Sequence, residues 1–427
     1  MLRKKRIVSM SNKVITLCKI VIRRILIIFP LPLFIFFIGE PVFWILGRRW
    51  NRKKIDMPHL KRVLVVRLDG IGDVVLTTPF LRELRKNLPN ARITLIVRPE
   101  ALNLVKLCPY VDEILTHDWK EPGIFAYLMW HISALKFSIF HLWKRRFDLS
   151  ILPRWDVDNR NSSFIIYFSG ARLRVGYSEN VRPEKIELNK RYDILFTHVI
   201  SDKTLKHEVE HNLDVITFIG GKIERDNLEL WLKEDDSTFA QSLLRRFNID
   251  AKCFFVGIGP AAQENLRMWP KERYLDMLDW FLKETASKIV LLGNKNERLI
   301  GDYIENNIKK EFSDRIINIM GETTLRQTAG LLKYCRFYLG NDTGVMHIAA
   351  AMKIPVIEIS SWSDSGNKFS AKSPFRFAPW KTRCVIVNPR HPLSPCVYDC
   401  VSSESHCIAQ VTIEDVKNAI KKIIKGH

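Results

Sequence analysis

Short apolar runs of strand length alternate with stretches of helical period, and the alternation starts twice. In the first half, "KRVLVVRL" (61–68), "ARITLIVRP" (91–99), "VDEILTHD" (111–118) and "FDLSILPR" (147–154) read as strands. "TPFLRELRKNLP" (78–89), ending before Pro89, and "ALNLVKLCP" (101–109) read as the helices between them. "ARLRVGYS" (171–178) reads as a turn leading onward, and the stretch around "KEDDSTFAQSLLRRFNIDAK" (233–252) as charged and weakly patterned. The rhythm resumes with "CFFVGIGP" (253–260), "KIVLLG" (288–293), "IINIMG" (316–321), "RFYLGND" (336–342) and "IPVIEIS" (354–360) as strands. Between these lie the helices "KERYLDMLDWFLKE" (271–284), "TTLRQTAGLLKYC" (323–335) and "GVMHIAAAM" (344–352). Strand–helix repetition of this kind predicts parallel sheets covered by helices on both faces. A chain of 427 residues exceeds one ordinary core, so the expectation is two doubly wound α/β halves. They would cover 61–240 and 241–427, face a cleft, and bind ligands beyond the carboxyl ends of their strands.

Residues 1–62 hold 15 Lys/Arg against 2 Asp/Glu, which is +13 of the net +21. The charge flanks "ILIIFPLPLFIFFIGEPVFWILG" (25–47), with Arg23 and Arg24 before it and Arg48 and Arg49 after. The run is long enough to span a bilayer, yet Pro30, Pro32 and Pro41 interrupt it and Glu40 is costly at depth. Residues 1–60 are therefore expected to be a basic, hydrophobic membrane anchor, either spanning or re-entrant, on the cytoplasmic face of the inner membrane. Nucleic-acid binding is excluded as a leading reading, because the basic residues flank an apolar run instead of interleaving with stacking aromatics. The aromatic and basic stretch 121–147 reads as an amphipathic helix, and both membrane contact and buried packing stay open for it.

Three strand-to-loop turns carry residues suited to chemistry. In "RLDGIGDVV" (67–75), Arg67 ends the strand, Gly70 and Gly72 shape the turn, and Asp73 opens the helix. Val75 stands where a dinucleotide fingerprint has its third glycine, which argues against a dehydrogenase. Asp73 suits a helix cap and also a general base in the cleft. In "LGNDTGVMHIAAA" (339–351), Asp342, Thr343 and Gly344 lead into a helix whose free amides suit a diphosphate, and His347 lies on its first turn. The loop "GPAAQENLRMWPKERY" (259–274) carries Arg267, a candidate phosphate partner.

Cys384, Cys396, Cys400 and Cys407 gather late in the chain, with His391 and His406 nearby. The C-x3-C-x6-C spacing is looser than the usual zinc pairs, so reduced thiols or a local disulfide are preferred over a metal.

Together these motifs resemble glycosyltransferase family 9, the heptosyltransferases of lipopolysaccharide core assembly, over roughly residues 61–425. "RLDGIGDVVLTTP" resembles the family's first-strand motif, which implies Asp73 as catalytic base. "GNDTGVMHIAAA" resembles the D-T-G-x-x-H signature, which implies that Asp342, Thr343, Gly344 and His347 hold the donor. "RMWP" resembles the K-x-W-P segment, with Arg267 in place of its lysine. "SPCVYDC…HC" resembles a cysteine-bearing loop of many members. The resemblance implies a GT-B fold and an inverting transferase needing neither metal nor other cofactor. It would move a sugar, ADP-heptose being the expected donor, onto a lipid-linked saccharide at the membrane leaflet. A GT-B sugar-nucleotide epimerase and a non-catalytic nucleotide-binding membrane protein stay open as alternatives.

Overall fold

The structure is a computed structural model and describes residues 31–48, 54–118, 126–250, 253–397 and 399–425. Two six-stranded sheets form, each wholly parallel. The first contains β1 (Arg62–Arg67), β2 (Arg92–Val97), β3 (Glu113–Thr116), β4 (Leu149–Leu152), β5 (Leu173–Tyr177) and β6 (His198–Ile200), in the order β3-β2-β1-β4-β5-β6. The second contains β7 (Phe255–Gly259), β8 (Lys288–Leu291), β9 (Ile316–Asn318), β10 (Tyr338–Asn341), β11 (Val356–Ile359) and β12 (Cys384–Val387), in the order β12-β11-β10-β7-β8-β9. Counted from its own first strand, each half has the same winding. Each therefore has one point where the strand order reverses: between β1 and β4, and between β7 and β10. Loops leaving neighbouring strands at such a point diverge and leave a crevice.

The central strands are buried on both faces, as their unbroken apolar runs require. One apolar cluster runs through both halves, from Val63, Val75 and Leu95 to Val290, Met346 and Val356. A second lies under the helices of the second sheet and includes Trp269, Phe281 and Ile420.

Two segments differ from the sequence reading. "ARLRVGYS" contains β5, not a turn; its Arg174, Gly176 and Tyr177 alternate with only two aliphatics, so no apolar run marks it. The charged stretch near 240 is the helix Glu234–Arg246, with Asp236, Ala240, Leu243 and Leu244 on its buried side. Its acidic first turn and basic last turn complement the helix dipole.

The expected anchor, 1–60, lies partly outside the described residues, in 1–30 and 49–53. Its described part contains the fifteen-residue helix Leu31–Ile45 with Pro41 inside. Such a helix is about 22 Å long, short of the ~30 Å hydrocarbon core. Among the described residues no helix is long and apolar enough to cross a membrane. The helix instead docks on the first half. Phe43 is buried with its ring 5.5 Å from that of Tyr167, and Glu40 pairs with Arg174 at 3.2 Å. That pairing explains how an acid is tolerated in so apolar a segment. Phe37, Ile38, Trp44 and Ile45 face outward. The described part of 121–147 forms the helix Ala126–Phe137, continued by a wider turn through Leu142. His131, Ala134 and Leu142 are buried and Phe140 is exposed.

Candidate active site

The first turn follows β1. Gly70 caps the helix Ile71–Leu76 with φ −67°, an ordinary conformation, so its backbone needs no glycine. Gly72 is required by space: a Cβ there would lie 2.5 Å from Cδ2 of His347 in the other half. The second turn is matched to it, because a Cβ at Gly344 would lie 2.9 Å from Cβ of Ile71. The two helix N-termini thus meet tip to tip, and two glycines make the approach possible. The sequence reading assigned Gly70 and Gly72 to turn geometry and ligand approach; packing between the halves is the larger constraint at Gly72.

Asp73 is the third residue of its helix and closes a cap, its Oδ2 accepting from Gly70 N–H at 3.1 Å. Its Oδ1 accepts from Arg67 Nη2 at 3.2 Å, and the side chain is 24% exposed toward the cleft. The cap and base readings are thus compatible in geometry.

Arg67 is wholly buried at the β1–β4 reversal. It donates to Pro153 O at 2.5 Å and to Glu208 Oε1 at 2.9 Å, and its Nε lies 3.1 Å from Asp69 Oδ2. Burial pulls its pKa down, but Asp69, Glu208 and Asp73 together raise it above the usual arginine value. Asp69 also pairs with Arg154, which follows β4. Glu208 reaches Arg376 at 3.4 Å, and Arg376 binds Asp156 at 2.8 Å. Arg376 follows β11, so this buried ion network ties the halves together. Burial disfavours ionised Asp156, yet Arg376, Arg182 and Arg154 hold its carboxyl well below the usual range.

At the β7–β10 reversal, Arg267 from the loop after β7 meets Asp342 after β10, Nη1 to Oδ2 at 3.0 Å. Its Nε lies 3.3 Å from Glu264, and the side chain is 24% exposed. Burial raises the Asp342 pKa, and Arg267 opposes that shift. Thr343 is the N-cap residue of the helix Gly344–Ala351, and its side chain makes no cap bond to that helix end. Burial lowers the His347 pKa to about 4, with Arg267 adding to the effect, so the ring is neutral at neutral pH. Asn341 Nδ2, His347 Nδ1 and Glu358 Oε2 are buried without a hydrogen-bond partner among the described residues. Burial, with Asp342 adding to it, raises the Glu358 pKa well above its ordinary value.

The structure therefore brings Arg67, Gly70, Gly72 and Asp73 together on one side, and Arg267, Asp342, Thr343, Gly344 and His347 on the other, in contact through Gly72 and His347. Asp69, Arg154, Asp156, Glu208, Glu358 and Arg376 were not singled out from the sequence. The available signal was a charged residue directly at or after the end of an apolar run, as in "RLD" and "LPRWD", or a lone acid inside one, as in "VIEIS". A depression beyond β1, β2 and β3, lined by Leu68, Arg98, His117, Asp118, Trp130 and Arg160, opens on the first half.

The chain is similar to known proteins in both sequence and shape. The profile of glycosyltransferase family 9 (heptosyltransferase) matches residues 142–405, which include the second turn. The lipooligosaccharide heptosyltransferase 2 of Haemophilus ducreyi is 24% identical over 302 residues, 69% of this chain and 81% of that one. A family 9 glycosyltransferase from Veillonella parvula superposes with TM-score 0.67 at 18% identity, covering 88% of this chain and 99% of that one. The ADP-heptose lipopolysaccharide heptosyltransferase II of E. coli superposes with TM-score 0.62 at 17% identity, covering 86% and 99%.

Proposed function

The chain belongs to glycosyltransferase family 9 and is a glycosyltransferase, and from that premise we propose that it transfers heptose from ADP-heptose to a lipid-linked saccharide, with inversion and without a catalytic metal. The relatives' names support the sugar and the acceptor class. The observation that carries the mechanism is the meeting of the two helix N-termini, Gly72 against His347, with Asp73 on one side and Arg267 on the other.

In this reading the acceptor binds mainly to the first half, 61–240, and the donor to the second, 241–427. Asp73 takes the proton of the acceptor hydroxyl as its oxygen attacks the anomeric carbon from the face opposite the diphosphate. The bond from that carbon to the diphosphate oxygen breaks, and ADP departs with the electron pair. Thr343, Gly344 and the free amides of their helix, with Arg267, stabilise the charge that develops there. This supply of positive charge is what supports metal independence. Asp342 orients the sugar. His347, neutral and buried, offers a nitrogen without a protein partner. Arg67 holds Asp73 in place through Nη2.

The outward face of the Leu31–Ile45 helix supports an interfacial form of the expected anchor on the cytoplasmic leaflet. Phe37, Ile38, Trp44 and Ile45 would enter the headgroup region, and the basic residues of 1–62 would meet anionic lipid. Phe140, also exposed, lies three residues before Trp143, whose ring is 6.3 Å from Phe43.

Donor turnover tests the mechanism. Wild type should release ADP from ADP-heptose and label a bacterial lipid–saccharide extract in EDTA, whereas Asp73→Ala should bind donor and fail. Equal turnover by the variant would reduce Asp73 to a helix cap. Vesicle sedimentation tests the anchor: deletion of 1–60 should abolish binding to anionic vesicles, and unchanged binding would remove it.

A further inference from the structure

Between β12 and the terminal helix Ile413–Lys425 the chain runs for twenty-five residues, 388–412, and among the described ones one short 3-10 turn at Cys407–Gln410 is the only regular element. Loops of this length inside a compact domain need something to hold them. The apolar cluster beneath this one is small: Cys396, Cys400 and Cys407, with Leu266 and Leu393 packed against them.

The three thiols are buried, 7%, 5% and 1% exposed, and they surround one ring nitrogen. His406 Nδ1 lies 3.5 Å from Cys396 Sγ, 3.9 Å from Cys400 Sγ and 3.5 Å from Cys407 Sγ. All four atoms lie within 4.8 Å of one another. Tetrahedral zinc, with Zn–S about 2.3 Å and Zn–N about 2.0 Å, sets neighbouring ligand atoms about 3.5–3.8 Å apart. The three Nδ1–Sγ distances lie close to that separation, and no pair in the cluster exceeds 4.8 Å. Backbone amides point at the sulfurs as well: Val401 N–H donates to Cys396 and Leu393 N–H to Cys407, each at 3.4 Å. Such bonds spread thiolate charge and orient ligands. A disulfide would use two of the three thiols and leave the third and the imidazole unexplained. Cys384 sits on β12 and His391 contributes its carbonyl to Gln410, so neither belongs to the cluster.

We propose that Cys396, Cys400, His406 and Cys407 form a closed structural zinc site that clamps the donor-side loop carrying Arg267. On binding, the three thiols release their protons to solvent and the imidazole binds neutral through Nδ1. All four positions are filled by protein, so the ion has no open site and takes no part in turnover. The clamp is direct. Ser405 Oγ donates to Met268 O at 2.6 Å, Leu266 packs on the sulfurs, and Trp269 Nε1 donates to Val411 O at 2.9 Å. Arg267 lies between Leu266 and Met268, and its neighbours on both sides are thus fixed by the metal loop. The spacing of the cysteines hid this arrangement, because His406, adjacent to Cys407, supplies the fourth ligand.

Elemental analysis of untagged, full-length protein purified without chelator is the test. About one zinc per chain is expected, falling below about 0.1 in Cys400→Ser and Cys407→Ser and unchanged in Cys335→Ser, whose thiol lies elsewhere in the core. If the cysteine variants fail to fold, wild type refolded with cobalt provides the second measurement. It should show the visible bands of a tetrahedral thiolate site, displaced by one equivalent of zinc. Protein without stoichiometric zinc, or with an equivalent of iron in its place, would overturn the proposal, as would a disulfide among the three cysteines. None of these readouts depends on the sugar transferred.

Discussion

The two reversal points of the molecule share one strand order and differ in how they are filled. At β1–β4 the space is closed by side chains of the protein. Arg67 is buried among Pro153, Asp69, Asp73 and Glu208, and only Asp73 reaches the cleft. At β7–β10 the charge is sparser. Arg267 and Asp342 pair across the crevice, the N-cap side chain of the following helix makes no cap bond, and Asn341, His347 and Glu358 each keep a buried polar atom without a partner among the described residues. In the proposed mechanism the first point holds one carboxylate still, and the second is completed by a donor that brings acceptors and negative charge. A base must be oriented before substrate arrives, whereas a diphosphate supplies its own half of the interaction.

The largest effect should come from opening the filled side. Arg67→Met leaves buried Asp69 with Arg154 alone and buried Glu208 with Arg376 alone at 3.4 Å, and should cost about 3–5 kcal/mol in denaturant unfolding. A loss under about 1 kcal/mol would show that the first reversal is not an ion-locked core. Arg267→Met should act the other way. Donor affinity should fall by about 1.5–3 kcal/mol, roughly ten- to a hundredfold by calorimetry, while stability changes much less, since burial already favours protonation of Asp342. Equal destabilisation by the two substitutions would erase the contrast.

The contact between the sides can be probed by size. Gly72→Ala should lose about 1–3 kcal/mol through the clash with His347, and His347→Ala should restore most of it in the double variant. Additive losses would mean that the helix ends do not bear on one another. The smallest effect is on pH dependence. His347 titrates at about 4 when folded and near 6.5 when unfolded. Between those values the unfolded chain holds the extra proton, so stability is complete above about pH 6.5 and falls as pH drops toward 4. His207, also lowered by burial, to about 3, contributes in the same sense. His347→Gln should flatten this acid limb by less than one proton, and an unchanged slope would place the titration elsewhere.

Both turns and most central strands were legible in the sequence because each is a local signal: an apolar run, then glycine or Asp-Thr-Gly, then helical period. β5 was not, because Arg174 and Gly176 break its run and its burial comes from Phe196 and other distant neighbours. The ion network was illegible for a related reason. Arg67 and Glu208 are 141 residues apart, and Glu208 and Arg376 are 168 apart, so no spacing rule joins them. Glu358 sits in "VIEIS", where a lone acid in an apolar strand was a signal without an address until Gly340 was paired beside it. The helix Leu31–Ile45 was read by its hydropathy alone; its docking through Phe43 and Glu40 depends on Tyr167 and Arg174, far along the chain.

The central claim is that the filled side holds a base for the open side. The most direct measurement is single-turnover transfer by Asp73→Asn, which keeps the cap's shape and removes the basic oxygen. The account predicts a loss of roughly 10²–10⁴-fold in the chemical step, with ADP-heptose affinity within about twofold of wild type. Transfer at the wild-type rate would contradict it and leave Asp73 as the cap of its helix alone.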